Sequence, residues 1–435
     1  MRIQNLLKID FIILAAVLLL AIIGVLFIYS SGIASGGLLI SNEYQRQILW
    51  ISIGLILALI IAVLNYRRLH DSSLYLYLGT IFLLLCTFVF ARLFDGSRWL
   101  KIGSFSFQAS EFSKITTILF LAWYLDTTKR AQKPLMRFMV SGVIVLIPTL
   151  LVLLQPDLGT ALVFIPIFLG MTYIAGLPVR YIIFFILCLV STGIFLILPH
   201  WQTIIMNNSI PALMTLTNVR FVMLACLSLS VIAAIAAFGF IRYQKKYFYW
   251  ISYVTGITIF SMGVSLLAQK VLREYQIMRL IIFMNPNVDP RGSGWHIIQS
   301  TTAIVSGGVF GKGYLQGTQS QYRFLPEQST DFIFSILSEE WGFLGGILVF
   351  ALYCIVLLRL VRIMRLTTDS YGAYIVTGLI FMYAIHFTIN VGMTMGIMPI
   401  TGIPLLFVSY GGSALISAMV GIGLALSVYV RRYLH

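Results

Sequence analysis

Charge is scarce in this sequence. Asp, Glu, Lys and Arg make up 10% of its 435 residues, against 60% hydrophobic residues. Soluble domains carry about 25% charged residues. That shortage, with a mean hydropathy of +0.97, excludes the soluble globular class. Cysteine is nearly as sparse: Cys86, Cys188, Cys226 and Cys354 all fall inside apolar runs. Neither a disulfide framework nor metal-ligand spacing is visible among them. Soluble domains, low-complexity linkers and internal repeats are also missing.

Long apolar runs are abundant. A bilayer core needs about 20 apolar residues per helical crossing. Suitable runs occur near residues 11–30, 46–65, 74–91, 112–126, 136–154, 159–176, 180–198, 219–241, 248–268, 331–358, 371–398 and 405–430. The pattern predicts an all-α polytopic membrane protein with about ten to twelve transmembrane helices, the fourth being short for a crossing. The first run follows Arg2 and Lys8, as in a signal peptide. With so many spans behind it, it reads as a retained first helix.

Basic residues set an orientation. With both termini in the cytoplasm, Arg67, Arg68, Lys129, Arg130, Arg359 and Arg362 lie in short inner loops, with most of the 29 Lys and Arg. That is the positive-inside pattern. Some cations defy it. Arg98, Lys101 and Lys114 cluster in and after one outer loop, and Lys270, Arg273, Arg279, Arg291, Lys312 and Arg323 occupy the outer stretch 269–330. Cations held outside point to an anionic ligand there, or to ordinary solvated loop charge. Nucleic acid is not the expected partner, because the charge is divided between two sides of a membrane.

Four features suggest chemistry. The first is Asp331, in LPEQSTDFIFSILSEEWGFLGG, where a loop meets a membrane-grade helix. An Asp at mid-bilayer costs roughly 2.5–3.5 kcal/mol, so such a residue is by default a functional candidate. Continued as a helix, the segment would place Ser335, Ser338, Glu339 and Gly342 on one face with it. Asp331 then reads as a general base, with Glu327 and Glu339 as carboxylates able to raise its pKa. It reads equally as a helix cap.

The second feature is Glu111 with Lys114, whose i,i+3 spacing lets them meet on a helix. They form either a satisfied ion pair or a phosphate-binding cation with its holder, in which case Arg98 and Lys101 complete the site. The third is the glycine-rich run SGGVFGKGYLQGTQ around Lys312. Its backbone N–H groups suit an anion nest or tight turns, and it lacks the spacing of a P-loop. The fourth is Asn390 to Gly423, where Pro399 and Pro404 interrupt the helices ahead of Ser409 and Tyr410. Small residues there serve close packing, or the Ser–Tyr pair lines a cavity.

Five stretches together carry a resemblance: GSRWLKIGSFSFQASEFSK, QPDLGTALV, YQIMRLIIFMNPNVDPRGSGWHIIQS, AIVSGGVFGKGYLQGTQSQYRFLPEQSTDFIFSILSEEWGFLG and PITGIPLLFVSYGGSALIS. The chain resembles the SEDS family (shape, elongation, division and sporulation) over nearly its whole length. Its YQ and GTQSQ segments are more similar to the rod-shape elongation (RodA-type) branch than to the division branch. The resemblance implies a peptidoglycan glycosyltransferase of the bacterial cytoplasmic membrane that polymerises lipid II at the outer face and releases undecaprenyl pyrophosphate. It implies that Asp331 is the essential residue, that Glu111 and Lys114 belong to the site, and that a class B penicillin-binding protein is the transpeptidase partner in an elongation complex. It also implies help from a divalent cation, Mg²⁺ or Mn²⁺, for which the sequence shows no ligand set.

Two departures stand out. The family usually has ten spans, so residues 199–268 read as an inserted segment with an extra transmembrane hairpin at 219–268, within one membrane domain of residues 1–435. Ala109 stands where the family usually has Pro. The stretch 269–330 reads as a long ordered extracytoplasmic loop anchored by Trp295, Phe310, Tyr314 and Phe324. Hydropathy alone also fits a lipid II flippase or a non-enzymatic scaffold for a transpeptidase.

Overall fold

The computed structural model describes residues 9–34, 36–93, 100–102, 105–206, 214–272, 274–290 and 292–432. The helices run α1 Phe11–Ser31, α2 Glu43–Val63, α3 Arg68–Leu93, α4 Ala109–Thr127, α5 Pro134–Leu154, α6 Leu158–Ile174, α7 Val179–Ile204, α8 Val219–Tyr243 and α9 Lys246–Val271. They continue as α10 Glu274–Met284, α11 Ser293–Gly307, α12 Thr318–Gln321, α13 Ile333–Leu366, α14 Ser370–Thr394 and α15 Gly412–Val430. A two-stranded antiparallel hairpin, β1 Leu100–Ile102 and β2 Phe105–Phe107, leads into α4.

Among the described residues, ten helices are long and apolar enough to cross a membrane. Two further helices occupy expected crossings. The first, α6, has 17 residues. The second, α4, carries Glu111, Lys114 and Asp126 in its 19 residues, which lowers its hydropathy. Ala109 is the first residue of α4, a position that favours Pro. Apolar side chains such as Ile56, Leu78 and Val143 are exposed, as befits helices whose outer faces meet lipid.

The chain forms two compact units, Met1–Leu177 with Trp295–His435, and Pro178–Gly294. The smaller unit contains the expected hairpin, α8 and α9, joined at Gln244 in left-handed conformation (φ 51°). There α9 packs on both α8 and α7. Leu196 of α7 and Ile277 and Ile281 of α10 form a buried apolar cluster. The guanidinium of Arg279 lies over the Tyr275 ring, 5.5 Å from its centroid.

Much of the stretch expected as a long loop is helical, since α10, α11 and the single turn α12 lie within it. The anchors expected there are themselves uneven: Tyr314 Oη donates to the Leu26 carbonyl at 2.9 Å, whereas Phe310 is exposed.

In the larger unit α2 packs on α15, α1 on α13, and α14 on α13, α6 and α4. One end of these helices gathers polar clasps. Asp10 caps α1 through the Ile12 and Ile13 N–H groups and accepts from Arg359 of α13. Arg431 donates to the Ala62 carbonyl, and Tyr66 Oη donates to Asp369 at 2.9 Å. Burial and the Asp369 charge push the Tyr66 phenol up to about 12. Tyr66→Phe is expected to lower stability by about 1 kcal/mol, the net worth of one such bond, read as a fall in thermal midpoint in detergent. An unchanged midpoint would show the bond to be silent.

Candidate functional site

At the other end of α13 the chain makes a compact turn. The Glu327 carbonyl accepts from the N–H groups of Thr330 (3.3 Å), Asp331 (3.1 Å) and Phe332 (3.4 Å). Glu327 itself is exposed, with φ 48°, a region that non-glycine residues rarely occupy. Asp331 therefore sits in the turn, half-buried. The helix begins at Ile333, with Phe332 in the cap position. The helical stripe expected from spacing does not include Asp331. Nor does it continue, because Gly342 has φ 65° and ψ −159° and breaks α13. Ser335, expected on the same face, hydrogen-bonds Ser300 at 2.6 Å.

The break at Gly342 is filled by the glycine-rich loop. Phe343 N–H donates to the Gly308 carbonyl at 2.9 Å and Leu344 N–H to Val309 at 3.2 Å. In return Lys312 N–H reaches Glu339 O at 3.0 Å and Gly313 N–H reaches Glu340 O at 3.1 Å. Backbone polar groups released by a helix break must find such partners. A Cβ on Gly342 would lie 2.3 Å from Gly311 N, so only glycine fits.

The nest expected in this run does hold an anion, and the anion is the protein's own. The Glu339 carboxylate, fully buried, accepts from Lys312 Nζ (2.7 Å), Thr318 N (2.9 Å), Thr318 Oγ1 (2.9 Å) and Gln319 N (3.1 Å). Glu340 is likewise taken up, by Ser30, Ser320 and Leu315 N. Lys312 and Glu339 are thus joined to each other.

A strap of irregular chain between α14 and α15 closes over the turn. A Cβ on Gly402 would lie 3.3 Å from Asp331 Oδ2, so the carboxylate rests against the strap backbone. Tyr410 N–H donates to Ser329 O at 2.8 Å. Ser409 Oγ accepts from Leu405 N at 2.9 Å, and the Ser409 carbonyl accepts from Gln47 Nε2 at 3.1 Å. Tyr410 therefore ties the strap to the turn, whereas Ser409 ties the strap to itself and to α2. Gln328 is buried in the same turn, and among the described residues neither of its amide atoms has a hydrogen-bond partner.

Glu111 and Lys114 meet as their spacing predicts, with Lys114 Nζ donating to Glu111 Oε2 at 2.8 Å. Ser417 Oγ is 3.4 Å from the same carboxylate oxygen. Lys114 is wholly buried, so its ammonium faces the protein interior. Its other partner is one that sequence reasoning missed. His386 Nε2 lies 2.9 Å from Nζ, and His386 Nδ1 lies 3.2 Å from the Pro404 carbonyl.

One turn further along α14, Asn390 Nδ2 donates to Asp331 O at 3.0 Å and to Ile403 O at 2.8 Å. The signal was a His and an Asn at i,i+4 in an apolar span, where polar residues are expensive. Gln108 is a further miss: its Nε2 donates to buried Asp157 at 2.8 Å, and Asp157 also caps α6.

Arg98 lies outside the described residues, and Lys101 is placed only by its backbone, in β1. Among the described residues no group of three or more His, Cys, Asp or Glu is arranged to hold a metal ion. An apolar cavity of about 300 Å³ lies elsewhere, between α2, α3, α4 and α15, lined by Ile61, Tyr66, Leu76, Ile115 and Leu424 among others.

The chain matches the family described as cell cycle protein FtsW, RodA and SpoVE, over residues 10–208 and 202–434. It is 49% identical to the peptidoglycan glycosyltransferase RodA of Treponema pallidum, over 99% of this chain and 100% of that one. It is 32% identical to the peptidoglycan glycosyltransferase MrdB of Escherichia coli K12, over 89% of this chain and 86% of that one. Among solved structures, a chain from a peptidoglycan synthase complex that coordinates polymerization and crosslinking has the same fold, with TM-score 0.68, 24% identity, and 98% and 99% coverage. The rod shape determining protein RodA of Thermus thermophilus gives TM-score 0.60 at 23% identity, with 98% of each chain covered.

Proposed function

The chain belongs to the FtsW, RodA and SpoVE family, and from that premise we propose that it is a membrane peptidoglycan glycosyltransferase that polymerises lipid II for cell elongation and shape. The observation that carries the reading is Asp331: a half-buried carboxylate, outside any helix, held by its backbone between α14 and the strap, with its oxygen against a glycine. A base needs this combination of fixed position and access.

In the reaction, the acceptor sugar's hydroxyl oxygen forms a bond to the anomeric carbon of the growing chain. The bond from that carbon to the phosphate oxygen breaks, undecaprenyl pyrophosphate leaves with the electron pair, and the hydroxyl proton passes to Asp331. Glu111 and Lys114 back the site from the protein interior. Arg98 and Lys101, close together in the sequence ahead of α4, are proposed to meet the pyrophosphate.

The membrane is proposed to be the bacterial cytoplasmic one, with both termini inside and Asp331 at the outer face. The clasps at Asp10, Arg359, Tyr66 and Arg431 support this, because they gather basic residues at the end away from Asp331. A crosslinking partner, a class B penicillin-binding protein, is supported by the fold shared with a chain of a polymerization and crosslinking complex.

The test places the purified chain with its transpeptidase in proteoliposomes containing labelled lipid II. Glycan polymer with no net translocation of the label supports the assignment. Translocation without polymer would replace it with a flippase. A chain that does neither, yet supports crosslinking by the partner, would be a scaffold.

A further inference from the structure

We infer that the buried Glu111–Lys114 pair acts on the site through His386, as a strut that positions the strap beside Asp331, and not as a ligand of the departing pyrophosphate. The inference rests on the reading of Asp331 as the base.

Burial is the first argument. Lys114 is wholly buried, Glu111 nearly so, and the ammonium and carboxylate are in contact at 2.8 Å. A paired, enclosed cation has its charge largely cancelled by its neighbour, and uncovering either group would leave a buried charge alone, at several kcal/mol. Such a pair is poorly placed to receive and release a diphosphate in each cycle.

The second argument is the direction of the hydrogen bonds. An ammonium has only donors, so His386 Nε2, 2.9 Å from Lys114 Nζ, must be the acceptor. The Pro404 carbonyl can only accept, so Nδ1 carries the ring proton and donates to it. These two contacts fix His386 as the neutral Nδ1–H tautomer. The chain of contacts then runs from Glu111 through Lys114 and His386 to Pro404, two residues from Gly402, on which the Asp331 carboxylate rests.

The third argument is Asn390. One turn from His386 on the same helix, it bonds both the strap, at Ile403, and the Asp331 carbonyl. Together His386 and Asn390 tie α14 to strap and turn at adjacent points, and Lys114 joins α4 to this arrangement. His386 is thus a positioning residue. Misplacement of a reacting group by about 1 Å is enough to cost about 100-fold in rate.

The experiment measures kcat and KM for lipid II with full-length protein and its transpeptidase. The variants are His386→Gln, His386→Asn, and the paired Glu111→Gln with Lys114→Met, which removes both buried charges together. The triple combination of the pair with His386→Gln completes the set. A strut predicts that each His386 variant and the charge-free pair lower kcat by about 10- to 100-fold, with KM within about threefold of the parent. The triple combination is expected to lose little more than its worst component, because the residues act as one unit.

A charge-free pair that raises KM tenfold or more, beside His386 variants with parental constants, would overturn the strut and return Lys114 to the pyrophosphate. Parental kcat in both His386 variants would overturn it even if the pair fails to fold. Asp331→Asn is assayed alongside: if it retains parental activity, the base assignment falls on its own, separately from the His386 result.

Discussion

Asp331→Asn is expected to lower the rate of glycan polymerisation by about 10²–10⁴-fold, the usual contribution of a positioned general base, while the protein folds as before. The structure separates the two effects. Two of the contacts that hold the turn at this residue are made by its backbone: Asp331 N–H to Glu327 O, and Asn390 Nδ2 to Asp331 O. Asparagine keeps the side chain's shape and loses only its basic oxygen. The residue in the cap position of α13 is Phe332, so the alternative reading of Asp331 as the helix cap is not the arrangement found. Gel analysis of polymer from labelled lipid II, with the thermal midpoint as a control, measures both effects. Parental polymer yield from a well-folded Asp331→Asn protein would remove the assigned role.

The largest expected loss of stability is at Glu339. Its carboxylate is the acceptor for Lys312, Thr318 and Gln319, and it is wholly buried. Glu339→Ala leaves those donors without their anion and the loop detached from the broken helix. Breaking a buried pair in this way costs about 3–5 kcal/mol. Lys312→Met is expected to cost less, because Lys312 is 27% exposed in its side chain and the backbone N–H groups still hold the carboxylate. Thermal unfolding in detergent checks the order of the two. Equal midpoints, or a more severe Lys312→Met, would contradict the view that the loop's N–H groups bind this anion.

Much of the architecture was legible because membrane crossings are written in composition. The hairpin at α8 and α9 lies close to the expected residues, since apolar length decides it. The contact between Glu111 and Lys114 was legible for a similarly local reason, their spacing on a helix.

What escaped depends on distant chain. Helical spacing placed Asp331 on a stripe with Glu339 and Gly342. The break at Gly342 is imposed by Gly311 and Val309, which pack directly onto it. The glycine-rich run read as either an anion nest or tight turns, and its sequence could not disclose that Glu339 would accept from its Thr318 and Gln319 N–H groups. His386 and Asn390 passed unnoticed as ordinary members of a span, because their partners, Lys114, Pro404 and Asp331, are brought to them only by the fold.

The most direct measurement is an experimental structure of the chain with a lipid-linked disaccharide bound as acceptor. The acceptor hydroxyl is expected within hydrogen-bond reach of the Asp331 carboxylate, about 2.6–3.2 Å, beside the backbone of Gly402. A bound acceptor whose hydroxyl approaches some other group, with Asp331 touching no sugar, would contradict the account.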